Sequence, residues 1–108
     1  MIVVTTEVIP NTRIIKSLGL VRGSAVRCTH LGKDILAYLR NLVGGEISEY
    51  TKMLAESREQ ALDRLIENAE KLGANAILSV KFSTSNISSG AAEVLIYGTA
   101  VVVEDEEA

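Results

Sequence analysis

The segment at 94–103, VLIYGTAVVV, constrains the fold of this chain more than any other stretch, because it is apolar at nearly every position. Its β-branched and aromatic residues favour a strand. Alternation along a strand places apolar side chains on both faces, with Val94, Ile96 and Val102 on one and Leu95, Tyr97, Val101 and Val103 on the other. The helices of one subunit shield only one face. We therefore expect the second face to meet another subunit, since a bare apolar patch would aggregate.

The first part of the chain predicts two further strands. Residues 2–9 are mostly β-branched and predict a strand, and Pro10 with Asn11 predicts the turn that ends it. Residues 12–28 predict an irregular strand with a bulge near Gly23. Leu20, Val26 and Cys28 share one parity of that strand.

Two helices and a hairpin complete the prediction. A short helix follows Gly32 and ends at the glycine pair 44–45. A long helix begins at a Ser48 cap and ends at Gly73. Its apolar stripe consists of Tyr50, Leu54, Ala61, Leu65, Ala69 and Leu72, broadened by Met53, Leu62 and Ile66. The next strand is expected to show Ala76, Leu78, Val80 and Phe82 on one face, and residues 88–93 to turn into the final strand.

The chain of 108 residues fits one domain, which we expect to span residues 1–103, with an acidic, disordered tail at 104–108. Strands separated from a block of helices indicate an α+β fold with a mainly antiparallel sheet. The net charge of −3 argues against a nucleic-acid partner. No run of about 20 apolar residues predicts a membrane span, and one cysteine excludes an intrachain disulfide. These features favour a cytoplasmic protein.

Cys28 and His30 are the sequence's strongest candidates for chemistry. Both side chains face one side if the strand continues through His30, and Asp34 follows closely. Thiolate, imidazole and carboxylate are ligands for zinc, copper or another heavy metal, so these three residues form a candidate metal site. The competing interpretation is structural, since a lone cysteine commonly behaves as a small buried hydrophobe. A catalytic Cys–His dyad is the least favoured, because residues so close in sequence rarely reach attack geometry.

Four linked segments resemble one family when taken in order. They are AYLRNLVGGEISEY at 37–50, SREQALDRLIENAEKLGA at 57–74, LGANAILSV at 72–80 and GTAVVVE at 98–104. Together they resemble the YbjQ family of small, uncharacterised proteins that carry a heavy-metal-binding label. The resemblance implies a dodecin-like subunit with a helix packed on an antiparallel sheet. It also implies a pentameric ring in which added short strands join the subunits.

The resemblance also singles out Asp34, Arg40, Tyr50 and Arg58 as matching positions. We expect them to form a cluster near the junction of the two helices, as ion pairs first and as a small-ligand site second. The family usually follows its glycine pair with Arg-Ser, whereas this chain has Glu46 and Ile47 before Ser48. An anion site built on that arginine in relatives would be absent here.

Two functions follow from these features. The first is a ring-forming homo-oligomer that binds a heavy-metal ion or small ligand at subunit boundaries. The second is an oligomeric scaffold for other proteins without a ligand or catalysis of its own. An enzyme ranks third, because no nucleophile–base–orienter set is recognisable.

Overall fold

The apolar strand lies at the centre of a four-stranded sheet. The structure is a computed structural model and describes residues 1–28, 47–88 and 91–106. The described strands are β1 (Ile2–Val3), β2 (Thr12–Cys28), β3 (Ala76–Ser88) and β4 (Ala91–Asp105), and the described helix is α1 (Ile47–Lys71). The sheet order is β1-β3-β4-β2. β4 pairs antiparallel with both β2 and β3, and only β1 runs parallel to its neighbour, β3.

Helix α1 packs on one face of the sheet, chiefly against β2 and β4. Its apolar stripe supplies Ala61, Leu65 and Ala69, each fully buried. The sheet contributes Val21, Ala25, Ile77, Val80, Val94, Ile96 and Ala100 to the same core. The predicted stripe is thus correct in its middle, whereas Leu72 at its end is 48% exposed. Ser57 is a buried polar residue on α1 that the stripe did not include.

A smaller core covers part of the opposite face. Ala76, Leu78, Val101 and Val103 are buried there under Val4 and Ile9 of the N-terminal segment. The two faces of β4 therefore divide as predicted. The chain itself shields the Val101–Val103 end of the second face, a cover that the sequence analysis did not include.

The regular N-terminal strand, Ile2–Val3, is shorter than the predicted 2–9. The backbone stays bonded to β3 as far as Thr6, because the Val4 amide donates to the Ile77 carbonyl and the Ser79 amide donates to the Thr6 carbonyl, both at 3.0 Å. Thr6 Oγ1 donates to the Val8 carbonyl at 2.7 Å and stabilises a bend. Asn11 has φ of 63°, which makes the turn before β2. The turn is confirmed, and the remainder of the predicted strand is a bent segment that lies over the sheet.

The bulges lie elsewhere than predicted. In β2 the register shifts between Ile14 and Lys16 and between Ser17 and Gly19, not near Gly23. In β3 the register shifts between Leu78 and Lys81, where Ser79 has φ of 54°, and again between Asn86 and Ser88. One extra residue reverses the alternation of side chains. The prediction that Ala76, Leu78, Val80 and Phe82 share a face is therefore wrong.

The ends of α1 and β4 also differ in detail from the predictions. The helix begins at Ile47, so Ser48 lies inside it. It ends as predicted at Gly73, where the amides of Gly73 and Ala74 donate to the carbonyls of Glu70 and Ala69 at 3.0 and 3.1 Å in a Schellman motif. β4 continues through Asp105, and the Glu106 amide donates to the Asn11 carbonyl at 2.9 Å, so ordered backbone extends into the segment expected to be a tail. The predicted short helix after Gly32 lies outside the described residues.

Candidate functional site

The sheet face opposite α1 carries apolar side chains that no described residue covers. We call this surface the open face. It consists of those residues of Leu20–Val26 in β2, Lys81–Ser85 in β3 and Glu93–Thr99 in β4 that the strand register places on the side of the sheet away from α1. Leu20 is 69% and Val26 49% exposed there, while Leu95 and Tyr97 are half-buried. The open face continues the small N-terminal core, which stops at Leu78 and Val101.

The register across β2, β4 and β3 arranges the open face in rows. Arg22 lies opposite Tyr97, and Tyr97 lies opposite Lys81, so one row reads cation, tyrosine, cation. The next row contains Ser24, Leu95 and Ser83. Directly opposed residues of an antiparallel pair share a face. The open face therefore combines a few apolar side chains with serines and one cationic row across its middle.

On the other side of the sheet, helix α1 contacts the β2 backbone at Arg22–Ser24. A side chain at Gly23 would collide with the Ala61 carbonyl and the backbone of Leu65, so glycine allows the helix backbone to contact the strand. Asn68 Nδ2 donates to the Arg22 carbonyl at 2.8 Å, and Arg64 Nη1 donates to the Ser24 carbonyl at 2.6 Å. These bonds hold the β2 backbone under the cationic row.

The predicted metal residues fall at the limit of the described chain. Cys28 is the last residue of β2, where its backbone pairs with Ala91, and His30 and Asp34 lie outside the described residues. The structure therefore does not test whether these three residues come together. Within residues 1–28, 47–88 and 91–106, no group of three or more His, Cys, Asp or Glu side chains is arranged to hold a metal ion.

The second predicted cluster is divided in the same way. Tyr50 lies in the first turn of α1, and Arg58 is exposed about two turns later. Their eight-residue separation corresponds to roughly 12 Å along the helix axis. Asp34 and Arg40 are outside the described residues, so the cluster stays a prediction.

A shallow groove of about 450 Å³ lies between the end of β2 and the helix. Its lining consists of Arg27, Ala55, Glu56, Glu59, Gln60 and Asp63. The Arg27 Nε atom is buried and has no hydrogen-bond partner among the described residues. The sequence analysis missed this groove, although the i, i+3, i+7 spacing of Glu56, Glu59 and Asp63 places the three acids on one side of the helix.

Sequence reasoning also missed the cationic row. Arg22 and Tyr97 lie on strands whose facing could be read from alternation, but Lys81 follows the Ser79 bulge, which no alternation pattern shows. A third missed contact is the ion pair between Arg13 and Glu104, in which Arg13 Nε donates to Oε1 at 2.6 Å. It joins the start of β2 to the end of β4. Because both side chains are exposed, the pair contributes little to stability. No helix in the described part of the chain has the length and apolar character needed to span a membrane.

Comparison with known proteins gives a consistent result over the whole chain. A family profile described as "Putative heavy-metal-binding" matches residues 1–104. The chain is 60% identical over 107 residues to a UPF0145 protein of Pyrococcus furiosus, a match that covers 99% of this chain and 94% of that protein. A UPF0145 protein of Methanosarcina acetivorans is 53% identical over 103 residues, covering 95% and 97% respectively.

A solved structure supports the same fold. The chain is similar to the crystal structure of a protein of unknown function, of the DUF74 family, from Pediococcus pentosaceus. The TM-score is 0.66 at 17% sequence identity, with 96% of this chain and 98% of that chain covered. At this identity the likeness shows the arrangement of helix and sheet and nothing about a ligand.

Proposed function

The chain belongs to the YbjQ family, whose profile is described as "Putative heavy-metal-binding", and from this premise we propose that it is the subunit of a ring-shaped homo-oligomer that holds a heavy-metal ion or small ligand at its subunit boundaries. The proposed ring is a pentamer of dodecin-like subunits, the assembly that the family resemblance implies. Each subunit supplies one α+β domain.

The open face, which no described residue covers, is the observation that carries this proposal. Leu20, Val26, Leu95 and Tyr97 are its apolar side chains, in a chain that already buries the other face under α1. Full burial of one such side chain stabilises by roughly 1.5–3 kcal/mol. A contact between copies would therefore remove from water a surface that favours aggregation when it stays bare.

The metal part of the proposal needs ligands from more than one place. Within the described residues, the one thiol is that of Cys28, whereas zinc binds four ligands and copper(I) favours several soft ones. The described donor set of one subunit thus does not complete a site. We propose that Cys28, with His30 and Asp34, meets donors of a neighbouring subunit, which a symmetric ring brings together repeatedly.

Native mass spectrometry tests both parts in one measurement. The expected result is a pentamer that retains a stoichiometric metal ion, identified by elemental analysis of protein purified without chelator. The combined Cys28→Ser and His30→Ala change is expected to remove the metal and keep the ring. Ser17→Ala, an exposed change on the same strand, is the matched control and should retain the metal. A monomeric wild-type protein would contradict the ring, and a metal-free ring that binds no added zinc or copper would contradict the site.

The same open face, left without a cover by the described residues, also supports a second candidate function. A ring that assembles without a ligand would bury the open face equally well and could act as a scaffold for other proteins. This function predicts a stable ring with no retained ion and recovery of defined partner proteins. The same mass measurement separates the two candidates.

A further inference from the structure

We propose that the cationic row of the open face, Arg22, Tyr97 and Lys81, is a binding site for a small phosphate-type oxyanion. This inference deepens the proposed function by naming a ligand class. It rests on that function only for the statement that the anion would lie at a subunit boundary. The site itself is built from one subunit.

The chemistry of the row consists almost entirely of hydrogen-bond donors. Arg22 offers a planar fork of N–H groups, Lys81 offers an ammonium, and Tyr97 between them offers a phenolic hydroxyl. A guanidinium fork matches the oxygens of phosphate, and an ammonium adds a point charge. Arg22 and Lys81 are both exposed, and Tyr97 is half-buried, so the groups are accessible within the described chain.

The spacing of the row suits one anion. Arg22 and Lys81 lie on the two strands that flank β4, so their backbones are roughly 10 Å apart. Both side chains are long and can lean over the ring between them while keeping their charges in water. A tetrahedral oxyanion above Tyr97 would contact both cations at once.

No described carboxylate neutralises these two cations. The ion pairs of the described residues join Arg13 to Glu104 and Lys71 to Glu67, and neither involves the row. The acid that follows on the same face of β4 is Glu93, four residues from Tyr97 and thus roughly 13 Å away. The row is therefore a local excess of positive charge on a chain whose net charge is −3. That net charge disfavours a long polyanion and leaves a small one as the ligand that fits.

The row also has a rigid support. The carbonyls of Arg22 and Ser24 accept hydrogen bonds from Asn68 and Arg64, and Gly23 contacts the helix backbone directly. Groups carried by strands and fixed from behind keep their geometry better than groups on loops. This support distinguishes the row from scattered surface cations.

Titration calorimetry with inorganic phosphate tests the proposal, using full-length protein in phosphate-free buffer at constant ionic strength with chloride as the reference anion. The wild type is expected to bind phosphate in preference to chloride. Arg22→Gln and Lys81→Gln should each weaken binding about tenfold or more, the size of a lost charged hydrogen bond. Lys16→Gln is the matched control, because Lys16 is an exposed cation of β2 that lies opposite Val102, on the helix side of the sheet. It should bind as the wild type does.

Several results would overturn the site. They are no phosphate binding by the wild type, an equal loss for Lys16→Gln, or no loss for either row variant. Arg22→Lys keeps the positive charge without the planar guanidinium. Its phosphate affinity should lie between those of Arg22→Gln and the wild type, so it tests the role of Arg22 even if Arg22→Gln folds poorly. Native mass spectra of the same samples separate the proposals. An intact ring without phosphate binding overturns the oxyanion site alone, and phosphate binding by a monomer overturns the ring alone.

Discussion

At the scale of single residues, Gly23 is the position where the fold depends most directly on the absence of a side chain. A Cβ there would overlap the Ala61 carbonyl and the Leu65 backbone, and neither is the flexible end of a side chain. We expect Gly23→Ala to lower the free energy of unfolding by about 3 kcal/mol, because the helix must move away from β2. Urea denaturation followed by circular dichroism measures this loss.

Gly73→Ala is the matched control for that prediction. Gly73 has φ of 88° but open space around its Cβ position, so alanine there costs only backbone strain, about 1 kcal/mol. If the two variants lose equal stability, close packing at Gly23 is not the reason for its glycine.

The side-chain amide of Asn75 bonds to the backbone of β4 as a neighbouring strand would. Its Nδ2 donates to the Val103 carbonyl, and its Oδ1 accepts from the Val103 amide, both at 2.8 Å. We expect Asn75→Ala to cost about 2 kcal/mol, since both bonds are lost. Asn75→Asp would set a carboxylate oxygen against the Val103 carbonyl oxygen, so it should be no more stable than Asn75→Ala. Thermal unfolding of the three proteins gives the order, and an Asn75→Ala protein as stable as the wild type would contradict this role.

At the scale of secondary-structure elements, the bulge in β3 decides which side chains reach the open face. Ser79 adopts φ of 54°, a conformation that β-branched residues rarely take. We expect Ser79→Val to cost about 2 kcal/mol. Ser83→Val is the control, because Ser83 lies in the regular, exposed part of the same strand where valine is favourable. Chemical denaturation compares the two, and equal stability would mean that β3 tolerates another register.

The elements that local periodicity specifies were predictable. The buried middle of α1 follows from the spacing of Ala61, Leu65 and Ala69, and the Gly73 end follows from the conformational freedom of glycine. The facing of β4 follows from simple alternation. These features depend on neighbours in sequence, which a pattern records.

The features that tertiary contacts specify were not predictable in the same way. The Ser79 bulge and the shifts around Ile15 and Leu18 change register without a sequence pattern of their own. Arg64 and Asn68 lie outside the predicted apolar stripe of α1, yet both donate hydrogen bonds to carbonyls of β2. The cationic row could not be predicted for the same reason. Lys81 lies on the open face only because the bulge at Ser79 reverses the alternation of side chains along β3.

At the scale of the whole molecule, the open face and the helix face give the sheet two different environments. One face is sealed by α1, while among described residues the other is sealed only at its Val101–Val103 end by Val4 and Ile9. The N-terminal segment therefore reduces, but does not remove, the surface that a neighbouring subunit would bury.

Leu20→Glu tests whether this surface joins the subunits. Leu20 is 69% exposed in the isolated chain, so a glutamate there should leave the fold of one subunit intact. Buried at a contact between copies, an unpaired carboxylate is costly, and we expect the variant to dissociate to monomers at micromolar concentration. Leu72→Glu is the matched control, because Leu72 is 48% exposed just beyond α1 and away from the open face. Sedimentation velocity of the three proteins should show an assembled wild type, an assembled Leu72→Glu and a monomeric Leu20→Glu. If Leu20→Glu assembles as the wild type does, the subunits meet through another surface, and both the shared metal site and the boundary position of the oxyanion would have to be sought there.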